Sequence, residues 1–313
     1  MPVPWWNGRE RAIVRVVVVG AGGQLGSALV ERWRSRDDEV LALGRAELDL
    51  DAGDGADGAA GLPAIVAFRP AVVVNAAAWT DVDGCARDPQ RAMRVNGIGA
   101  GLVAGSASQA GAVTVQISTN EVFDGSAHRP YREDDEPSPI NPYGRSKLAG
   151  EEAVRAANPR SLVVRTAWLF GGDRPSFATK IRAAAERSVE SGAPLRVVAD
   201  EIGNPTPVRE LARAIVELVD RLARKSAEAP AEAPGTAGLP DAPGIYHLAG
   251  EPAVSRFEWA RQLLGNMPGL RLEPISLADY PRPAPVPPRA VLNVGRAAEL
   301  GIGPIRWEAS VLA

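Results

Sequence analysis

One cysteine, two histidines and three lysines are all that the 313 residues contain of those types. Cys85 alone cannot close an internal disulfide. His128 and His247 lie too far apart in sequence to join it in a His/Cys metal site, so no metal is expected and a reducing cytoplasm fits best. An excess of basic charge is also missing: Lys and Arg total 35 against 38 Asp and Glu, a formal net charge of -3. That balance gives no general attraction for a phosphate backbone or an anionic bilayer, so neither nucleic acid nor a membrane is an expected partner. No apolar run approaches the length of a membrane span, and the opening MPVPWWNGRERAIV lacks the apolar core of a signal peptide. Residues 1–12 read as an N-terminal tail.

Apolar residues make up 45% of the chain, enough for one large core or two ordinary ones. IVRVVVVG (13–20) has the continuous apolar character of a strand buried on both faces, and it runs through a glycine-rich turn into the helical pattern QLGSALVERWRS. The alternation continues. EVLALG (39–44), AVVVNAAA (71–78), AVTVQIST (112–119) and SLVVRTAWLFG (161–171) read as strands. GLPAIVAFR, the long stretch from Ala86 to Gly111 and the segment after Asn141 read as single helices between them. Repeated βα units of this kind predict a Rossmann-like, doubly wound parallel sheet over residues 13–171. Residues 172–313 carry fewer strands. They are expected to form a smaller C-terminal substrate-binding cap over the carboxyl ends of the sheet, with some segments returning to it. The Ala/Pro/Gly-rich stretch 226–244 reads as a flexible loop.

Three places carry chemistry. GAGGQLG (20–26) sits between a strand and a helix, where a tight turn, close backbone approach and a positive helix end can hold a pyrophosphate. Beyond the second strand, where an acidic residue reads the ribose in NAD binders, the chain has Arg45; a guanidinium suits a 2′-phosphate, so NADPH is expected over NADH, with NADH still open. Asp49 is placed to face the adenine. The third place is NPYGRSKLAGEEAVRAA (141–157), in which Tyr143 and Lys147 are one helical turn apart. A phenol can stabilise and protonate the oxyanion that forms when a carbonyl accepts hydride, and a lysine cation beside it would lower its pKa. The same lysine could hold the nicotinamide ribose. Four tyrosines and three lysines make an accidental Tyr-x-x-x-Lys uncommon but real; the dinucleotide turn ahead of the pair, and Thr119 closing the strand before it, give it meaning.

These residues, together with NAAAWTDVDGC (75–85), RVNG (94–97), STNEVFDG (118–125), RTAWLFG (165–171), DEIGNPTPV (200–208), GIYHLAG (244–250) and YPRPAPVPPRAVLN (280–293), make the chain resemble the extended short-chain dehydrogenase/reductases, and among them the dTDP-4-dehydrorhamnose reductase family. The resemblance runs from about Arg15 to about Ala297. It implies NADPH-dependent reduction of the 4-keto group of a nucleotide-linked 6-deoxyhexose, a step in polysaccharide precursor synthesis, and it allows a homodimer. It assigns Thr119, Tyr143 and Lys147 to catalysis, and Gly20, Gly23, Gln24, Leu25, Ala76, Ala77 and Ala78 to the cofactor. Thr80, Val82 and Trp168 fall near the sugar, with core packing as the plain alternative for Trp168. Asn75 and Asn96 are expected to brace strand and helix ends.

The departures from the family pattern concentrate at the substrate. Asn120 and Glu121 stand where the family reads Asp and Tyr, Ala86 replaces an acidic residue, and Pro285 and Val286 replace arginine, leaving Arg282 or Arg289 to reach the nucleotide diphosphate. Ala28 replaces a glutamate that some members use for a magnesium at a dimer interface, which again argues for no metal. Two other functions stay in view: a reductase of a different nucleotide-linked ketosugar, and a non-catalytic NADP-binding subunit resembling the regulatory beta subunit of methionine adenosyltransferase.

Overall fold

The computed structural model describes residues 13–52, 61–228 and 244–307. The tail 1–12 and residues 229–243 of the expected loop lie outside the described residues.

β1 (Arg15–Val19), α1 (Gln24–Arg34), β2 (Glu39–Leu43), α2 (Gly61–Phe68) and β3 (Val72–Asn75) follow in the order the apolar pattern predicts. Alternate side chains of β1 feed two cores. Val16 and Val18 meet Leu25, Leu29 and Trp33 of α1, whereas Val17 and Val19 meet Leu43, Ile65 and Val73 on the other face. A strand covered on both faces has no use for polar alternation, which explains the run of four valines. Each fully buried aliphatic side chain contributes about 1.5–3 kcal/mol, so these layers are the main support of the sheet.

The stretch 86–111 is not one helix. It breaks into α3 (Val82–Arg87), α4 (Pro89–Ala92), a π-helical turn (Met93–Ile98) and α5 (Gly99–Gln109). Asp88 interrupts by capping Arg91, and Pro89 starts the next turn without needing an amide donor. The π turn presents Asn96 inward, where its side chain accepts from Trp79 N and donates to the Trp79 carbonyl and Ser146 Oγ. Asn96 is thus a brace, and so is Asn75, which donates to Gln116 Oε1 at 2.8 Å.

β4 (Val113–Thr119), α6 (Pro142–Ala157) and β5 (Ser161–Thr166) complete the main run. The strand expected over 161–171 stops at Thr166, because Trp168 adopts φ +44° and turns the chain away. A bulky residue at positive φ costs roughly 1–3 kcal/mol and needs surroundings that fix it. The chain resumes as β6 (Leu169–Phe170), followed by α7 (Phe177–Ser191), β7 (Leu195–Val198), β8 (Ile202–Gly203), β9 (Thr206–Pro207) and α8 (Val208–Glu228). α8 packs along α1 and buries Leu211, Ile215, Leu218 and Leu222. It also carries helix three residues into the segment read as loop. β10 (Gly244–His247) then joins β5, giving one parallel sheet in the order β10-β5-β4-β3-β1-β2.

The last described elements are β11 (Gly250–Glu251), β12 (Val254–Ser255), α9 (Arg256–Leu264), β13 (Leu272–Ile275), α10 (Gly295–Glu299) and β14 (Ile305–Arg306). β12 pairs with β8, and β13 with β7, around a separate core centred on the fully buried Trp259. Chain order reverses between β1 and β3, so the carboxyl ends of those two strands mark the crevice where an open sheet of this kind binds its ligand.

Candidate active site

The turn between β1 and α1 is built for close approach. Gly20 has φ +78°, and a Cβ there would lie 2.5 Å from the Ala77 nitrogen, so only glycine lets β1 and the end of β3 come together. The N-cap of α1 is Gly23, which offers no side chain, and the positive end of the helix is therefore left for an anion. A cavity of about 730 Å³ opens there, within the size range of small-molecule sites. It runs from the turn past the carboxyl ends of β3 and β4 to Trp168. An uncapped helix end, a backbone cradle too tight for a Cβ and a cavity of this size fit a dinucleotide.

The residues assigned from the sequence to catalysis, to the cofactor and to the sugar line this cavity. At the turn are Gly20, Gly23, Gln24 and Leu25; past β2 are Arg45 and Asp49; past β3 are Ala76, Ala77, Ala78, Thr80 and Val82. Arg45 is 67% exposed and paired loosely with Asp49 at 3.7 Å, which leaves its guanidinium free to take a stronger anion. Thr119, Asn120, Glu121, Tyr143, Lys147 and Trp168 complete the wall.

Tyr143 and Lys147 share one face of α6, and both are buried. The phenol lines the cavity together with Thr119. Burial raises the phenol well above its ordinary pKa, the Glu121 carboxylate adds to that, and the nearby Thr119 hydroxyl opposes it. Lys147 does not produce the lowered phenol pKa expected from the sequence: its Nζ donates to the Ile117 carbonyl at 2.6 Å, and burial pushes its own pKa down to about 8, with Glu151 opposing. Tyr143 is therefore held as a neutral phenol, a proton source rather than a base.

Glu151, one further turn along α6, was not singled out from the sequence. It is buried, accepts from Ser118 Oγ, and holds the fully buried Arg165 by two bonds of 3.0 and 2.7 Å. The cluster thus sets two cations, Lys147 and Arg165, against one anion. Lys147, the nearer of the two, lies one turn along α6 from the phenol.

A family model described as the RmlD substrate binding domain matches residues 14–313. The dTDP-4-dehydrorhamnose reductase of Streptomyces griseus is 40% identical over 303 residues, covering 95% of this chain and 91% of that protein. The one from Mycolicibacterium smegmatis is 37% identical over 302 residues, covering 93% and 82%. Among solved structures, the dTDP-4-dehydrorhamnose reductase of Bacillus anthracis in complex with NADP superposes with a TM-score of 0.80, at 28% identity, over 96% of this chain and 97% of that one.

The chain belongs to the dTDP-4-dehydrorhamnose reductase family.

Where this family member departs from the pattern, the structure gives each residue a place. Asn120 lines the cavity, but its amide is engaged: Nδ2 donates to the Ala290 carbonyl at 3.0 Å, and Oδ1 accepts from Thr119 at 3.3 Å. It fastens the proline-rich segment to the end of β4. Glu121 accepts from Asn141 Nδ2 at 2.6 Å, and the same amide donates to the Pro285 carbonyl at 2.9 Å while Asn141 Oδ1 caps α6. Burial pushes the Glu121 carboxyl up to about 7; the Asn141 bond opposes this and the nearby Glu201 adds to it, with Arg282 and Arg256 opposing. Val286 is buried and Arg282 is bonded to Asp83 at 3.3 Å. Neither Arg282 nor Arg289 is among the residues lining the cavity.

Trp168 packs as its plain alternative expects, on the wall of the cavity. Its ring stacks on Trp259 at 5.7 Å, lies 3.5 Å beneath the Arg256 guanidinium, and covers Gly203, where a Cβ would come within 2.5 Å of the ring; it also borders the cavity. Those contacts are what hold its positive φ. The described residues include no group of three His, Cys, Asp or Glu side chains able to hold a metal ion, and no helix among them is long and apolar enough to cross a membrane.

Proposed function

We propose that this chain reduces the 4-keto group of dTDP-4-dehydro-L-rhamnose to give dTDP-L-rhamnose, with NADPH as the reductant, in the cytoplasm. The observation that carries the reading is the neutral Tyr143 phenol, set beside Thr119 in the wall of a cavity whose other end is a dinucleotide turn. When bound, the cofactor supplies a hydride to the keto carbon. The chain's own residues do the rest. Tyr143 gives its proton to the carbonyl oxygen as charge builds there, and Thr119 orients both the phenol and that oxygen. Lys147, fixed on the Ile117 carbonyl, stabilises the resulting tyrosinate and would hold a ribose hydroxyl of the bound cofactor. The α1 N-terminus and Arg45 receive phosphate groups at the far end. Thr80, Val82, Glu121 and Trp168 border the hexose, with the Trp168 ring as a flat apolar face for it.

The test is NADPH oxidation by the full chain with dTDP-4-dehydro-L-rhamnose, beside a panel of other nucleotide-linked ketosugars. Turnover of the first supports the proposal. Turnover of a different ketosugar alone would move the substrate and keep the chemistry. Tight NADPH binding with no turnover on any of them would leave a binding subunit.

A further inference from the structure

The dinucleotide in this reading carries a diphosphate, and the cations around the cavity are already apportioned with one exception. The cavity is lined by Arg45, Lys147 and Arg174. Lys147 is buried and committed to the Ile117 carbonyl at the Tyr143 end. Arg45 lies beyond β2, at the end where a 2′-phosphate would sit. Arg174, from the segment between β6 and α7, stands at the glycine turn itself. Its Nε and Nη2 donate to the Gly22 carbonyl at 3.0 and 2.7 Å, and its own carbonyl accepts from Gln24 Nε2 at 2.7 Å. The two residues it clasps flank Gly23, the bare N-cap of α1. Among the described residues, a Cβ built on Gly22 would meet nothing within 4 Å except the Arg174 Nη2, at 4.0 Å.

We propose that Arg174 is a cofactor-binding residue that takes the diphosphate of the dinucleotide, together with the first-turn amides of α1. This rests on the NADPH reading of the cavity. The physical case is an exchange of acceptors. In the structure the guanidinium spends two nitrogens on one neutral carbonyl, and Nη1 has no partner among the described residues. A phosphoryl oxygen offers a charged acceptor at the same place, and hydrogen bonds between two ions are about twice as strong as neutral ones. The planar fork also matches paired phosphate oxygens in a way that an ammonium cannot. The Gln24 bond to the Arg174 carbonyl keeps the segment seated while the side chain changes partner, so little of the chain must be reordered.

The proposal is tested by calorimetric titration of the full chain with NADPH and with NADH, without ketosugar, at several salt concentrations. Arg174→Ala is expected to weaken both cofactors by the same factor, about tenfold or more, because both carry the diphosphate. It should also make the dependence of log Kd on log salt shallower, since a charge contact is lost. Arg174→Lys should recover part of the affinity and Arg174→Gln almost none. Loss confined to NADPH would assign the residue to the 2′-phosphate and overturn the proposal. So would unchanged affinity, or equal loss with an unchanged salt slope, which would make Arg174 a brace for the turn. Binding is read without turnover, so the two claims separate: a chain that binds both cofactors through Arg174 but reduces no ketosugar keeps this inference and loses the proposed function.

Discussion

Lys147 donates to the Ile117 carbonyl at 2.6 Å, pinning α6 to the last turnward stretch of β4 one helical turn from Tyr143. That bond sets the distance between a cation and a phenol without pairing them. The phenol keeps its proton, and the cation waits for the anion that proton donation creates. The predictions below follow from this division of labour.

Tyr143→Phe removes the proton source and nothing that touches the dinucleotide turn. Turnover should fall by about a hundredfold to ten-thousandfold, the usual worth of a positioned general acid. Cofactor affinity should stay within a few-fold of wild type. Steady-state rates and titration on the same preparation check both; comparable turnover in the variant would remove Tyr143 from the mechanism.

Arg45→Ala should discriminate between cofactors. A guanidinium reading the 2′-phosphate predicts that NADPH binding weakens about tenfold while NADH binding barely changes. Equal weakening of the two would show that Arg45 does not read that phosphate.

Glu121 ties stability to pH. Its carboxyl is pushed up to about 7 from an ordinary 4.5. The native state therefore holds a proton that the unfolded chain has released between those values, and stability falls as pH rises through that window. Glu121→Gln removes the titration. The wild-type unfolding free energy should drop between pH 5 and pH 8 by more than the variant's does, a difference of order 2 kcal/mol. Parallel curves would place the titrating group elsewhere.

Glu151→Gln leaves Lys147 and Arg165 buried without their shared anion. Breaking a buried pair in this way costs about 3–5 kcal/mol, and replacing both partners costs much less. Thermal unfolding should thus show Glu151→Gln strongly destabilised and the double variant Glu151→Gln with Arg165→Met largely recovered. A double variant no better than the single would mean that packing, not charge, is what Glu151 supplies.

The cavity wall was legible in the sequence because its residues sit at motif positions next to strong apolar runs, where local pattern and global fold agree. Gly20, Thr119, Tyr143 and Lys147 fall into place once β1, β4 and α6 are drawn. What escaped depends on contacts between distant segments. Arg174 meets Gly22 across 152 positions, and Asn120 meets Ala290 across 170. No periodicity announces such pairs. The two misdrawn elements have the same origin: Trp168 ends β5 because Arg256, Gly203 and Trp259 hold its turned backbone, and the π turn forms because Asn96 has partners on Trp79 and Ser146. Glu151 reads in isolation as a surface acid on a charged helix, and it is drawn inward by Arg165 and Ser118 from neighbouring strands. The lowered phenol pKa expected of Lys147 failed because a backbone carbonyl, invisible to sequence, took the ammonium first.

The central claim is hydride delivery to one carbon of one sugar, and isotope transfer tests it most directly. NADPH carrying deuterium at C4 of the nicotinamide should be consumed with dTDP-4-dehydro-L-rhamnose and leave the label on C4 of the hexose in dTDP-L-rhamnose, read by NMR of the isolated product. Label at another carbon, or an unlabelled sugar recovered beside intact NADPH, would contradict the account.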